Sequence, residues 1–179
     1  MRWRCSGLAI VLSSAALAVA GGSVRTFRGN GFLVGIAEPQ GWVIDMNALQ
    51  LAQFVLHRMG MTWREADSVI FVRLIPRQAD HKAEAFVDSN VQDFEQSCLG
   101  PEVRDLDLNV GGQRKFWIKS YDCASMRHEV TAVTEVPGFF VLFVLTSRGA
   151  PATEVALTAY REVLTSFVWQ ETPAQPRLE

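Results

Sequence analysis

The sequence is short of the features that announce a chemistry. Its 179 residues include three cysteines and three histidines, and they form no H-E-x-x-H motif and no paired C-x-x-C motifs. Neither a G-x-S-x-G elbow nor a G-x-G-x-x-G or G-x-x-x-x-G-K loop is present. A preset zinc site, the usual hydrolase nucleophile and a phosphate cradle therefore drop out together. An excess of one charge is also missing, since 17 basic residues face 19 acidic ones for a net charge of −2. That balance excludes a strongly cationic nucleic-acid arm. The chain is 49% hydrophobic and 20% charged, which excludes a disordered tail or a collagen-like fibre. No apolar run reaches the roughly 20 residues of a spanning helix.

What is present begins with an export pattern. Arg2 and Arg4 precede an apolar stretch from Leu8 to Val19, broken only by Ser13 and Ser14, and Ala18-Val19-Ala20 follows. A positive start, a short apolar run and an A-x-A site in that order read as a secretory signal over 1–20, cleaved before Gly21. The alternative, an uncleaved anchor, has too short an apolar run. Cys5 precedes the run, so a lipoprotein anchor does not fit. Removing the segment leaves 159 residues, with 15 basic against 19 acidic and a net charge of −4. A chain of that size buries a sizeable core as one domain, expected over 21–169. A polar tail with two prolines, 170–179, is expected to fray. The expected location is periplasmic or extracellular, without stable membrane insertion after cleavage. Only Cys98 and Cys123 remain, and an oxidising compartment favours their pairing over two buried thiols.

Strand patterns cover Phe32–Ala37, Trp42–Ile44 and Ser68–Ile75, the last closed by Pro76. Asn47 is a reasonable cap for a helix to Met59, with Ala48, Leu51, Ala52, Val55, Leu56 and Met59 at helical spacing. That placement puts His57 on the helix's wet side. A second helix is expected from His81 to Ser97, where Val87, Val91, Phe94 and Cys98 form one stripe. An antiparallel meander follows: Arg104–Val110, a Gly111-Gly112 turn, Gln113–Cys123, His128–Val136, a Pro137-Gly138 turn and Phe139–Thr146. Pro151 opens a last helix with Ala156, Tyr160, Val163, Leu164 and Phe167 on its core side. The fold class expected is α+β, an α/β/α sandwich with a mainly antiparallel sheet flanked by helices.

A Pro-x-Gly-Trp turn (Pro39, Gly41, Trp42), then a helix, a strand meander and a closing helix ending Leu164-Thr165-Ser166-Phe167, resembles the PsbP-like superfamily. The resemblance covers most of the mature chain and rests on structural motifs. It implies a non-enzymatic accessory, assembly or adaptor protein, as lumenal photosystem subunits and secretion chaperones are. It carries no catalytic residue across.

Candidate sites are few. Cys98, His128 and Asp122 can be set out as a triad, but Cys98 has Cys123 as a better partner. His57, His81 with Glu84, and His128-Glu129 lack metal-ligand spacing and read more plainly as solvated residues. Asp105 and Asp107 share a strand parity and suit a wet strand face better than acid/base work or calcium. Lys115, Trp117, Lys119 and Tyr121 alternate cations with aromatic rings along one strand parity. If Phe116 and Ile118 face the core, this stripe is a binding surface for an acidic or aromatic ligand or a peptide. If a helix covers the rings instead, the lysine stems snorkel to water. The reading is an exported non-catalytic binding or accessory protein with a protein partner, and no cofactor, metal or nucleic acid. The alternatives are an envelope immunity protein that neutralises a toxin, and a small hydrolase using His128 with a carboxylate.

Overall fold

A computed structural model describes residues 24–48, 52–124 and 127–173. The expected signal, 1–20, and residues 174–179 lie outside them. The fold is α+β, with two antiparallel sheets and two α-helices among the described residues. β1 (Val24–Gly29) and β2 (Phe32–Ala37) form a hairpin closed by Asn30-Gly31, where Gly31 takes φ +82°. A side chain rarely tolerates that angle, and glycine does. β10 (Val168–Glu171) pairs with the other side of β2 and completes a three-stranded sheet. Gln170 and Glu171, placed in the polar tail by composition, are thus strand residues.

The larger sheet has the order β3-β4-β5-β9-β8-β7-β6. Its members are β3 (Trp42–Ile44), β4 (Phe54–Arg58), β5 (Ser68–Pro76), β6 (Glu102–Asp105), β7 (Trp117–Cys123), β8 (Arg127–Val136) and β9 (Phe139–Arg148). The helix expected from Asn47 to Met59 is not there: Met46–Ala48 forms one 3₁₀ turn and Phe54–Arg58 is β4. Phe54 and Leu56 face the main core, while Val55 packs with Ala48, Ala52, Ala66 and Val69 on the opposite face. A strand buried on both faces is apolar on both parities, which over a few residues imitates a helical stripe. Pairing with β3 and β5 decides the outcome.

β6 is shorter than the pattern suggests. The ladder with β7 ends at Asp105↔Lys119, and no two-residue hairpin forms at Gly111-Gly112. The Asp107 carboxylate accepts the Asn109 N–H at 2.9 Å, and Asn109 turns left-handed at φ 46°. This local bond competes with the ladder and lifts the chain off the sheet. Leu106, Leu108 and Val110 still pack on the core, from a loop.

α2 (Glu154–Ser166) and the small sheet cover one face of the large sheet. Thr153 caps α2 by accepting the Ala156 N–H. At the other end Ser166 Oγ accepts the Ala37 N–H at 2.9 Å, tying α2 to β2. Phe32 stacks on Trp169 at 4.6 Å and meets Phe139 edge-on, so the two sheets close on aromatic rings. α1 (Ala83–Ser97) lies on the opposite face, over β7 and β8.

Candidate functional site

Alternation along the strands sets which residues face α1. On β5 they are Val69, Phe71 and Arg73, on β9 Leu142, Val144 and Thr146, on β8 Glu129 and Thr131, and on β7 Trp117, Lys119 and Tyr121. Helix α1 covers only the β7–β8 part. The β4–β5 end is covered by the loop carrying Trp63. Between the two covers a groove of about 560 Å³ remains, floored by Phe71, Leu142, Val144, Thr131 and Thr146. Its walls are Trp63 on one side and Asn90, Asp93, Phe94 and Ser97 of α1 on the other. That volume is on the scale of small-molecule sites.

Both walls are fastened. The Arg148 guanidinium, at the end of β9, donates to the carbonyls of Trp63 and Arg64, and its backbone N–H donates to Asp67. Arg64 in turn lies over the Trp63 ring at 4.6 Å. Helix α1 has no side-chain cap of its own at Lys82, and Glu135 of β8 supplies one by accepting the Ala83 N–H at 2.6 Å. At the far end a disulfide joins Cys98 to Cys123 of β7, and Phe94 meets Tyr121 edge-to-face at 5.0 Å. Glu135→Ala is expected to remove about 1.5 kcal/mol, the worth of a hydrogen bond to a carboxylate. Hydrogen exchange should then rise in the first turn of α1 and leave α2 unchanged. Equal protection in that turn would sink this account of the cap.

The groove is amphipathic. Phe71, Leu142 and Val144 are half-buried on the floor, and Arg73, Asp93 and Glu129 bring charge to it. Tyr121 is 2% exposed, and its hydroxyl lies beside Thr131 without completing a well-formed hydrogen bond. Burial pushes this phenol above its ordinary pKa, with the Thr131 side chain opposing. Asn90 Nδ2 is also buried without a partner.

The Lys115–Tyr121 stripe does not make an open surface. Lys115 sits 4.2 Å above the Trp117 ring and 3.4 Å from Glu84 at the start of α1. Trp117 packs against the cluster of Ala83, Val87, Val133 and Phe140. Lys119 is held 2.8 Å from Asp105, and that carboxylate raises its pKa. Only Tyr121 reaches the groove. The strand parity is as the sequence suggests, but α1 lies on it.

His57 is a strand residue 4% exposed, with Nδ1 donating to the Arg58 carbonyl at 3.0 Å and Nε2 3.6 Å from Asp45. Among the described residues no group of three histidines, cysteines or acids is placed to hold a metal. Asp122, His128, Ser147 and Ser68 form one row across β7, β8, β9 and β5. His128 Nδ1 is 2.7 Å from Asp122, and Ser68 Oγ is 3.1 Å from Ser147 Oγ. Cys98, the third member of the triad considered from sequence, is in the disulfide. The groove residues Phe71, Arg73, Asn90, Thr131 and Val144 are not marked by the sequence, and Glu129 is marked there only as a metal-ligand candidate beside His128. The one signal was on α1, where Asn90, Asp93 and Ser97 run at spacings of three and four beside the apolar stripe.

No family model matches the sequence, and no curated protein matches it. Among solved structures, the chain is similar to the solution structure of cyanobacterial PsbP (CyanoP) from Synechocystis sp. PCC 6803. The match has 18% identity and a TM-score of 0.45, and covers 84% of this chain and 95% of that one.

Proposed function

We propose that the protein is an exported, non-catalytic accessory protein that binds through the groove between α1 and Trp63. The observation that carries this reading is a cavity of about 560 Å³ with an apolar floor of Phe71, Leu142 and Val144 and polar and charged side chains around it. A mostly apolar lining with a few polar side chains is the make-up of a small-ligand site. The pattern at Arg2–Ala20 supports export. Val144→Trp fills the groove floor. Native mass spectrometry of protein isolated from its own host should show a chain starting at Gly21 with an added ligand or partner mass. That added mass should vanish in Val144→Trp. A bare chain in both proteins would end the proposal.

One observation favours a second reading, a small hydrolase. The Asp122–His128 pair and Ser147 stand in register, the order of groups that nucleophilic catalysis uses. Against it, Ser147 is 4% exposed and Ser68 8%, and the two hydroxyls bond to each other. Fluorophosphonate labelling of Ser147 is expected to fail, and His128→Ala to leave any trace ester turnover unchanged. Labelling lost on His128→Ala would reverse the ranking of the two readings.

A further inference from the structure

A second recess lies where β6 leaves the large sheet. The ladder with β7 ends at Asp105↔Lys119, and one further bond runs from the Leu106 N–H to the Ile118 carbonyl. Beyond it the chain turns away at Asp107–Asn109 and returns to β7 through Arg114. The two legs part, and a cavity of about 500 Å³ opens between them. Leu106, Leu108 and Val110 line it from the outgoing leg, Phe116 and Ile118 from the returning one. This lining is mostly branched aliphatic and adjoins the core under α2. It shares no residue with the groove between α1 and Trp63.

Arg114 is the basic residue of the lining, and it is half-buried. Its guanidinium carbon stands 4.9 Å from the centre of the Phe167 ring. The ring attracts the charge but gives the guanidinium N–H groups no oxygen acceptor. Among the described residues no side chain or carbonyl takes that role, and no Arg114 nitrogen is sealed from solvent. Burial lowers the Arg114 pKa without an acid to raise it, whereas Glu102 raises that of Arg104 and Asp105 that of Lys119. The acids of the lining are engaged elsewhere, Asp105 with Lys119 at 2.8 Å and Asp107 with the Asn109 N–H. A half-buried cation beside an apolar recess thus lacks its counter-charge.

From this arrangement we infer that the recess binds a medium-chain fatty acid, its carboxylate on Arg114 and its chain on the aliphatic lining. The site is separate from the groove and does not depend on it. A guanidinium fork and a carboxylate match through two parallel hydrogen bonds, and the volume is on the scale of small-molecule sites. A dicarboxylate would bring its second charge toward Asp105 and Asp107, and an alkylammonium would set like charge against Arg114. A peptide carboxylate would carry its amides onto aliphatic side chains that cannot answer them. On the other side of Arg114 a recess of about 400 Å³ has Trp117 as its one apolar residue, so an alkyl chain gains less there.

Calorimetric titration of the purified protein with octanoate, decanoate and decanol, each below its micelle threshold, tests this. Decanoate is expected to bind about fifteenfold more tightly than octanoate, the effect of burying two more methylenes. Decanol lacks the charge and should bind at least about tenfold more weakly than decanoate. Arg114→Met keeps an unbranched stem and should erase that preference. Val110→Trp fills the recess and should abolish binding of both with Arg114 in place. Val144→Trp, in the α1 groove, should leave all three affinities unchanged. Arg114 and Val110 are loop residues, so circular dichroism should show the variants folded. Equal affinity for decanoate and decanol, or decanoate binding that survives Arg114→Met, would overturn the inference. Binding lost in Val144→Trp would also overturn it and place the ligand in the groove. No binding at either chain length would remove the recess as a site and leave the groove reading standing.

Discussion

Phe143→Ala is expected to lower stability by about 4 kcal/mol, the largest single-residue loss in the protein. Phe143 is 0% exposed at the middle of β9, the strand that pairs with β5 over nine residues and with β8 over ten. Phe116 and Phe167 approach its ring edge-on at 5.9 and 5.2 Å, so truncation opens a cavity that rigid aromatic neighbours cannot collapse into. The Phe143 carbonyl also accepts the hydroxyl of Tyr160, itself fully buried on α2. Thermal unfolding should fall by roughly 12 °C for a chain of this length. The lost contacts lie on the α2 face, with the sheet between them and the groove. Ligand affinity at temperatures where the variant stays folded should therefore be unchanged. A melting shift below about 3 °C would mean that the core around β9 is not packed as described.

The elements that carry this core were legible because their local pattern matches their burial. Phe32–Ala37 and Trp42–Ile44 match their strands, and Ser68 to Ile75 reads as a central strand because both parities are apolar, one residue short of the strand's end at Pro76. The Val87, Val91, Phe94 and Cys98 stripe leads directly to the sheet residues it meets. The same double-sided burial misleads at Phe54–Arg58. Alanines at 48 and 52 fall at helical spacing by coincidence, because they belong to the turn and loop that cover β4 from one side. β1 and β10 were missed for the opposite reason: Val24, Arg25 and Val168 are exposed, so no buried face imposes alternation on them.

The groove was illegible for a reason of topology. Its residues come in groups of one to four from β5, β7, β8, β9, α1 and the Trp63 loop, and no local spacing records which strands are neighbours. β5 and β9 are 79 residues apart at the Ser68–Ser147 contact. The alternating stripe at Lys115–Tyr121 was visible because it is local, and its rings, Trp117 and Tyr121, pack against α1 while Lys115 stays exposed. Local pattern thus found the part of the sheet face that the helix covers. The part left open depends on where α1 stops, and the bridge from Cys98 to Cys123 fixes that position.

Replacing both cysteines, Cys98→Ala with Cys123→Ala, is expected to cost about 3.5 kcal/mol by the chain-entropy model. The bridge spans a sequence separation of 25, and its loss returns that loop's freedom to the unfolded chain. The double substitution avoids a stray thiol, and dithiothreitol should reproduce its effect on the wild type. Native-state consequences should be local. Helix α1 has no basic residue in its last turn and no glycine at its C-cap, so the bridge and the Phe94–Tyr121 contact hold that end. Hydrogen exchange should increase from about Asp93 to Gly100 while the Glu135-capped start keeps its protection. Because Phe94, Ser97 and Tyr121 line one end of the groove, 1-anilinonaphthalene-8-sulfonate bound there should lose affinity on reduction. Calorimetry with and without dithiothreitol reads that difference. Equal affinity in both states would show that the helix end stays seated without its bridge, and the disulfide would then act only on the unfolded chain.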